Sequence, residues 1–307
     1  MKYGVNTIVW TNRVDEGCAS LFTKIKKWGF DGVEIFISPD EPADPARIRK
    51  MLDAAGLELT TGTVIPRNAN LVSPDAATRA YGIEFLKKCL DRTAEMGARL
   101  ICGPMHASLG LMTGARRTQQ EWDWVVESLS EVAQYAEDLE ISVCIEPLNR
   151  FETYFLNTQA DAARLVKDVG SKYVRIHFDT FHANIEEKNP AESLRSIAKA
   201  LGHVHISEND RGIPGTGHTD WKAVLSVLNQ IGYDGWLTIE SFAKPEPSLA
   251  AAAAIWRDVV PSGDALAKQG IKFLKQVAAE LDDERRIASQ AKKRKASTTK
   301  KKASRKR

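Results

Sequence analysis

Four residues able to do metal and proton chemistry recur at near-regular intervals in the second half of the chain. They are Glu146, Asp179, His205 and Glu240, separated by 33, 26 and 35 residues. Each stands at or near the end of a short apolar run: ISVCIEPL, YVRIHFDT, HVHISE and DGWLTIES. An unpaired charge in such a run is costly to bury. Three carboxylates held close together cannot all stay ionised without a cation. A neutral imidazole is a common ligand for divalent metals. An oxygen-rich set with one imidazole suits Mn²⁺, Mg²⁺ or Co²⁺ better than a thiolate-rich zinc site does. Any one of the four, taken singly, reads as an ordinary salt-bridged or hydrogen-bonded residue, so the argument rests on their coincidence in four successive runs.

The elements that must position them follow a regular beat. Strand-like segments fall at 2–10, 31–37, 57–64, 98–105, 141–148, 173–180, 203–208 and 234–241. Helical spacing falls at 18–29, 44–56, 75–97, 119–140, 157–170, 191–202, 220–232 and 263–286. Asp44, Pro45 and Gly56 bracket the second helix as N-cap, first position and terminator. Asn157 or Thr158 caps the fifth. Eight strand–helix pairs imply an all-parallel sheet, since each crossover carries a helix. Eight pairs in about 285 residues is the size of a single (β/α)₈ barrel. The rival doubly wound sheet would usually show a glycine-rich dinucleotide turn after the first strand, and GVNTIVWTN is not one.

In such a barrel the active site lies at the C-terminal ends of the strands. Strands five to eight would deliver Glu146, Asp179, His205 and Glu240 there. Parity agrees within each strand: Cys144 shares a face with Glu146, His177 with Asp179, His203 with His205, and Thr238 with Glu240. Glu152, His182 and Arg211 follow three to six residues after these positions, on loops above the barrel. There they are placed for hydrogen bonds to a polyhydroxylated ligand.

The chain carries a net charge of +3, but unevenly. Residues 285–307 hold 12 of its 43 Lys/Arg and no acid, which leaves 31 basic against 40 acidic residues, net −9, in the body. The expectation is a barrel over 1–284 and a disordered Lys/Arg-rich tail over 285–307. An acidic body repels nucleic acid, so only the tail would make weak contact with it. The four cysteines are widely spaced and form no CxxC, which reads as reduced thiols in a cytoplasmic protein. No stretch approaches a membrane span, and MKYGVNTIVW has no signal-peptide pattern.

Taken in order, IEPLNRFETYFLNT, HFDTFHANIEE, HVHISENDRGIPGTGH and DGWLTIESF resemble the ketose 3-epimerases of D-tagatose, D-allulose (psicose) and L-ribulose. These belong to the wider sugar isomerase/AP-endonuclease-like TIM barrels. GFDGVEI (29–35), IWRD (255–258) and the last helix fit as well, so the resemblance covers about 1–280. It implies that Glu146, Asp179, His205 and Glu240 bind a divalent metal, usually Mn²⁺ or Co²⁺. It further implies that Glu146 and Glu240 are the catalytic carboxylates, and that Glu152, His182 and Arg211 hold the O1 to O3 end of the sugar. The reaction implied is epimerisation of a free ketose at C3 through a cis-enediolate, by a homodimer or homotetramer.

Three departures bear on substrate identity. Glu240-Ser241-Phe242 stands where Glu-Pro-Phe is common. Asn6-Thr7-Ile8-Val9-Trp10 lacks an aromatic that some members place there. GPMHASLGLM puts His106 at the mouth. The alternative activity is the metal-dependent subunit of a C-glycoside deglycosidase, or another lyase or isomerase acting on a 3-oxo sugar. A deglycosidase of that kind would need a small partner subunit. A nuclease reading conflicts with the acidic body. The glycine-rich GIPGTGH follows strand seven, where barrels often hold phosphate, but the resemblance points to a backbone turn.

Overall fold

The computed structural model describes residues 1–243 and 245–304, with the backbone alone for 248 and 291–304. Its centre is a closed, all-parallel barrel in which the eight strands pair in sequence order and the last returns to the first. The strands are β1 (Lys2–Asn6), β2 (Gly32–Phe36), β3 (Glu58–Gly62), β4 (Leu100–Gly103), β5 (Ser142–Ile145), β6 (Val174–Asp179), β7 (Leu201–Ile206) and β8 (Trp236–Ile239). The expected (β/α)₈ architecture is the one observed.

The surrounding helices are α1 (Ala19–Lys27), α2 (Pro45–Ala55), α3 (Ala76–Glu95), α4 (Gln119–Asp138), α5 (Gln159–Val169), α6 (Thr180–Glu186), α7 (Pro190–Ser196), α8 (Trp221–Gln230), α9 (Pro247–Ala252) and α10 (Gly263–Ser304). Their ends follow local chemistry. Asp44 accepts from the Ala46 N–H, and Gly56 ends α2 at φ 70°, a left-handed value that a side chain disfavours. Thr118 and Glu121 form a reciprocal capping box on α4. Thr158, rather than Asn157, caps α5. The longer helices lay an apolar stripe on the barrel, as with Ile48 and Leu52 of α2 or Val224, Leu225 and Leu228 of α8, all buried. None of the described helices is long and apolar enough to cross a membrane.

The structure differs from the expectation in four places. β1 stops at Asn6, because its side chain turns back to accept from the Ile8 N–H at 2.9 Å and caps a 3₁₀ turn over Thr7–Val9. β7 starts two residues early, at Leu201, opposite Ile176. The DTFH segment, expected as loop, winds into α6. Finally, α10, expected over 263–286, is assigned as far as Ser304. Its apolar stripe, from Leu266 through Ile271, Leu274 and Val277, ends at Leu281. Beyond that every side chain from 282 to 290 is exposed, yet the backbone continues helical to Ser304. Ala-, Lys- and Arg-rich sequence has high helix propensity, so helicity outlasts packing here. The last three positions of the expected tail, 305–307, lie outside the described residues.

Candidate active site and metal centre

Four neighbouring strands bring the four expected residues to one end of the barrel. Asp179 is the last residue of β6 and lies in register with His205 of β7, which in turn pairs with Thr238 of β8. Glu146 and Glu240 each sit one residue past their strands. Both are still held by strand-type bonds, Glu146 N–H to Gly103 O at 3.0 Å and Glu240 N–H to Ile206 O at 3.2 Å. Gly103 is glycine of necessity. It has φ 127°, and a Cβ there would lie 2.1 Å from the Thr63 carbonyl oxygen.

His205 is the hub. Its Nδ1 lies 3.4 Å from Glu240 Oε1 and 3.7 Å from Asp179 Oδ2. Nδ1 is buried with no hydrogen-bond partner. Ligating atoms of Asp179, His205 and Glu240 lie within 4.8 Å of one another, as do those of Glu146, His177 and His205 and those of Glu146, Asp179 and His182. An orphaned imidazole nitrogen facing the Asp179 and Glu240 carboxylates fits a hard divalent cation.

Arg211 occupies the same ground. Its Nη1 donates to Glu240 Oε2 at 2.6 Å, Asp179 Oδ2 at 3.3 Å and Ser207 Oγ at 3.0 Å. The guanidinium stacks 4.0 Å from the Phe181 ring centroid and 5.3 Å from that of Phe242. Arg211 sits at φ 61°, a strained value for a non-glycine residue. Its carbonyl is pinned by the Ser241 hydroxyl at 2.5 Å, so the serine at this departure from the common pattern anchors the arginine's backbone. His182 lies on the first turn of α6, which Asp179 caps by accepting from the Phe181 N–H. His182 Nδ1 accepts from the Asn149 N–H at 3.0 Å, so its Nε2 carries the hydrogen, 3.7 Å from Glu146 Oε1. Glu152 accepts from Asn149 Nδ2 at 2.7 Å. Glu146, Glu152, His182, Arg211 and Glu240 together line a cavity of about 400 Å³ that reaches Ile8, Phe36 and Val64 on the far side.

The charges divide unequally. Burial pushes the Glu146 carboxyl well above the usual range, and Asp179 adds to the effect. Burial acts the same way on Asp179 and Glu240. There it is outweighed, for Asp179 chiefly by Arg211 and for Glu240 by His205 and then Arg211, so both stay below the ordinary carboxylate range. Glu146 is thus raised while Glu240, on the other side of Asp179 and His205, is lowered. Environments that push two carboxyls apart in this way separate an acid from a base.

Sequence reasoning missed the floor of the site. Glu34 of β2 is fully buried and accepts from His205 Nε2 at 2.6 Å, Asn6 Nδ2 at 3.0 Å, Thr60 Oγ1 at 2.9 Å and Cys102 Sγ at 3.3 Å. His203 Nε2 lies 2.8 Å from its other oxygen, out of line for a hydrogen bond. The signal was available, since GVEIF is an apolar run with one carboxylate, the same pattern that selected the other four. His106 is not a mouth residue. It is fully buried, stacks on Phe155, and places Nε2 3.0 Å from the Glu146 carbonyl oxygen. The GIPGTGH loop wraps around Glu208, whose carboxylate accepts from the N–H groups of Asn209, Gly215 and Thr219 and from the Trp221 indole. Within the loop the Gly215 N–H already serves this internal anion.

A family profile described as the xylose isomerase-like TIM barrel matches residues 22–277. The chain is 33% identical over 276 residues to a probable ketose 3-epimerase of Synechocystis sp., covering 90% of this chain and 96% of that one. It is 34% identical over 269 residues to the D-psicose 3-epimerase of Agrobacterium fabrum, covering 86% and 93%. The solved structure of a D-allulose 3-epimerase from Methylomonas sp. in complex with D-allulose superposes with a TM-score of 0.85 at 30% identity, over 90% of this chain and 96% of that one. With the barrel and the mouth cluster already in place, these likenesses make the chain a member of the ketose 3-epimerase family of xylose isomerase-like TIM barrels.

Proposed function

We propose that the protein epimerises a free ketose at C3, with Glu146 and Glu240 as the two proton-transfer groups. One observation carries this. The two carboxylates stand one residue past the ends of β5 and β8, flanking the arc of β6 and β7, and each lies within 4.8 Å of a His205 nitrogen. A C3 hydrogen lies α to the C2 carbonyl of a ketose and is therefore acidic. Inverting that centre takes one group to remove the proton and another to return one on the opposite face.

Glu146, Asp179, His205 and Glu240 would hold a divalent cation, with Mn²⁺ the first candidate and Co²⁺ or Mg²⁺ the others. Such an ion supplies Lewis-acid stabilisation of charge developing on the sugar's oxygens. The rest is done by side chains of this chain. Arg211 and the His182 Nε2–H offer donors to the sugar oxygens nearest the reacting carbon, and Glu152 accepts from a hydroxyl. Phe36, Val64 and Leu148 close the cavity around the remaining carbons. The family resemblance supports a homodimer or homotetramer as the working form.

A second reading has its own observation. Beyond the inner pocket opens a vestibule of about 730 Å³, bordered by Phe151, Phe181 and Trp256. It offers room for a group attached to the reacting sugar, as in a 3-oxo-glycoside. Incubation in D₂O with Mn²⁺ and D-allulose, D-tagatose, L-ribulose or a 3-oxo-glycoside separates the two readings. Deuterium at C3 of a free ketose is the expected result. No exchange with any free ketose would overturn the first reading. Glu146→Gln and Glu240→Gln should each abolish epimerisation, and activity surviving either change would overturn the two-carboxylate scheme.

A further inference from the structure

We infer that Glu34 is a positioning residue for His205, fixing the hydrogen on Nε2 so that Nδ1 presents its lone pair to the metal-binding carboxylates. The inference rests on the metal reading above.

The geometry leaves Glu34 one role toward the ring. A carboxylate offers only acceptors when ionised. Asn6 and Thr60 already donate to its two oxygens, and the Cys102 thiol donates as well. His205 Nε2, 2.6 Å from Glu34 Oε1, therefore donates. That assignment leaves Nδ1 free, and Nδ1 is the nitrogen turned toward Asp179 and Glu240. Were the hydrogen on Nδ1 instead, the ring would present an N–H to a cation and could not ligate it.

The surroundings show a built support. Glu34 is fully buried on β2, across the barrel from β7, and its oxygens are held from β1, β3 and β4. The residues that orient the imidazole thus come from the half of the barrel that contributes no ligand. A metal-bound histidine commonly gives its second N–H to a carboxylate, and losing that partner typically costs 10–100-fold in metal affinity.

The test is Mn²⁺ binding by titration calorimetry, paired with the visible spectrum of the Co²⁺-loaded protein, with no substrate present. Glu34→Leu removes the acceptor and should weaken Mn²⁺ about 30–100-fold, with a changed Co²⁺ band. Glu34→Gln keeps an amide oxygen for Nε2–H and should lose roughly tenfold, a partial rescue that a merely structural role would not produce. Thr60→Val touches His205 only through Glu34 and should lose about two- to fivefold. A folded Glu34→Gln or Glu34→Leu protein that binds Mn²⁺ within twofold of wild type overturns the inference. Should neither fold, unchanged Mn²⁺ affinity in Thr60→Val overturns it. Either result leaves the metal reading standing, whereas a wild-type protein that takes up no Mn²⁺, Co²⁺ or Mg²⁺ removes both.

Discussion

Replacing Arg211 by methionine should make the fold depend on metal. In the metal-free structure the guanidinium is the cation between Asp179 and Glu240, and it is 4% exposed. Removing one partner of a buried ion pair costs about 3–5 kcal/mol, because the remaining charge is left uncompensated. At about 2–4 °C per kcal/mol for a domain approaching this size, the variant without metal should melt roughly 6–20 °C below wild type. Methionine keeps much of the volume between Phe181 and Phe242, so the loss reports charge more than packing. A divalent cation should restore most of it. Mn²⁺ should also bind the variant about tenfold or more tightly, since it no longer shares the carboxylates with a fixed positive charge. Scanning fluorimetry of both proteins with chelator and with Mn²⁺ measures this. A metal-free variant that melts with wild type, or a variant no more responsive to Mn²⁺ than wild type, would refute the view of Arg211 as the resident counter-charge. Turnover should fall at least 100-fold in kcat/KM whatever the metal concentration, because substrate loses a donor.

Other perturbations follow from single features. Ser241→Ala frees the carbonyl of the strained Arg211 and should raise KM about five- to twentyfold, with a smaller effect on kcat, equivalent to about 1–2 kcal/mol for a buried hydrogen bond; unchanged KM for the preferred ketose would show that Arg211 needs no such anchor. Burial pushes His106 down to about 4. Its folded pKa lies below the unfolded one, so the unfolded chain binds more protons and stability is lost as pH falls from about 6.5 toward 4, by about 3 kcal/mol from this residue. His177, His182 and His203 are lowered too, so the wild-type minus His106→Gln difference in urea stability, pH 4 to 7, isolates it; parallel curves would contradict it. Burial pushes the thiols of Cys89 and Cys144 up to about 12, and that of Cys102 well above its usual value. Only Cys18 is partly exposed, so a disulfide reagent should modify one thiol in the native protein and four in urea; three or more fast native thiols would count against this packing.

The sequence made the barrel legible because each level agreed with the next. Asp44, Pro45 and Gly56 mark α2 by local chemistry alone, and eight repeats of strand and helix leave few topologies open. The four candidate residues at the strand ends were legible for a related reason, since a charge at the end of an apolar strand needs a partner. Glu34 carries the same mark and was passed over, because its partner His205 is 171 residues away and adjacency across a closed barrel is invisible to a count along the chain. His106 failed in the opposite direction. A histidine in a loop-like GPMHAS reads as solvated, and only the fold shows Phe155 stacked on it.

Glu208 has a consequence for which sugars are turned away. Sugar phosphates are an abundant and chemically similar set of competitors for any enzyme of free sugars. In this barrel the loop after β7 brings its own carboxylate, and three backbone N–H groups and one indole N–H are spent on it. A phosphate arriving there would meet saturated donors and a like charge. If the protein acts on free ketoses as proposed above, discrimination against phosphorylated ones would reside in the residues packed around Glu208, set when the chain folds and before any ligand is present.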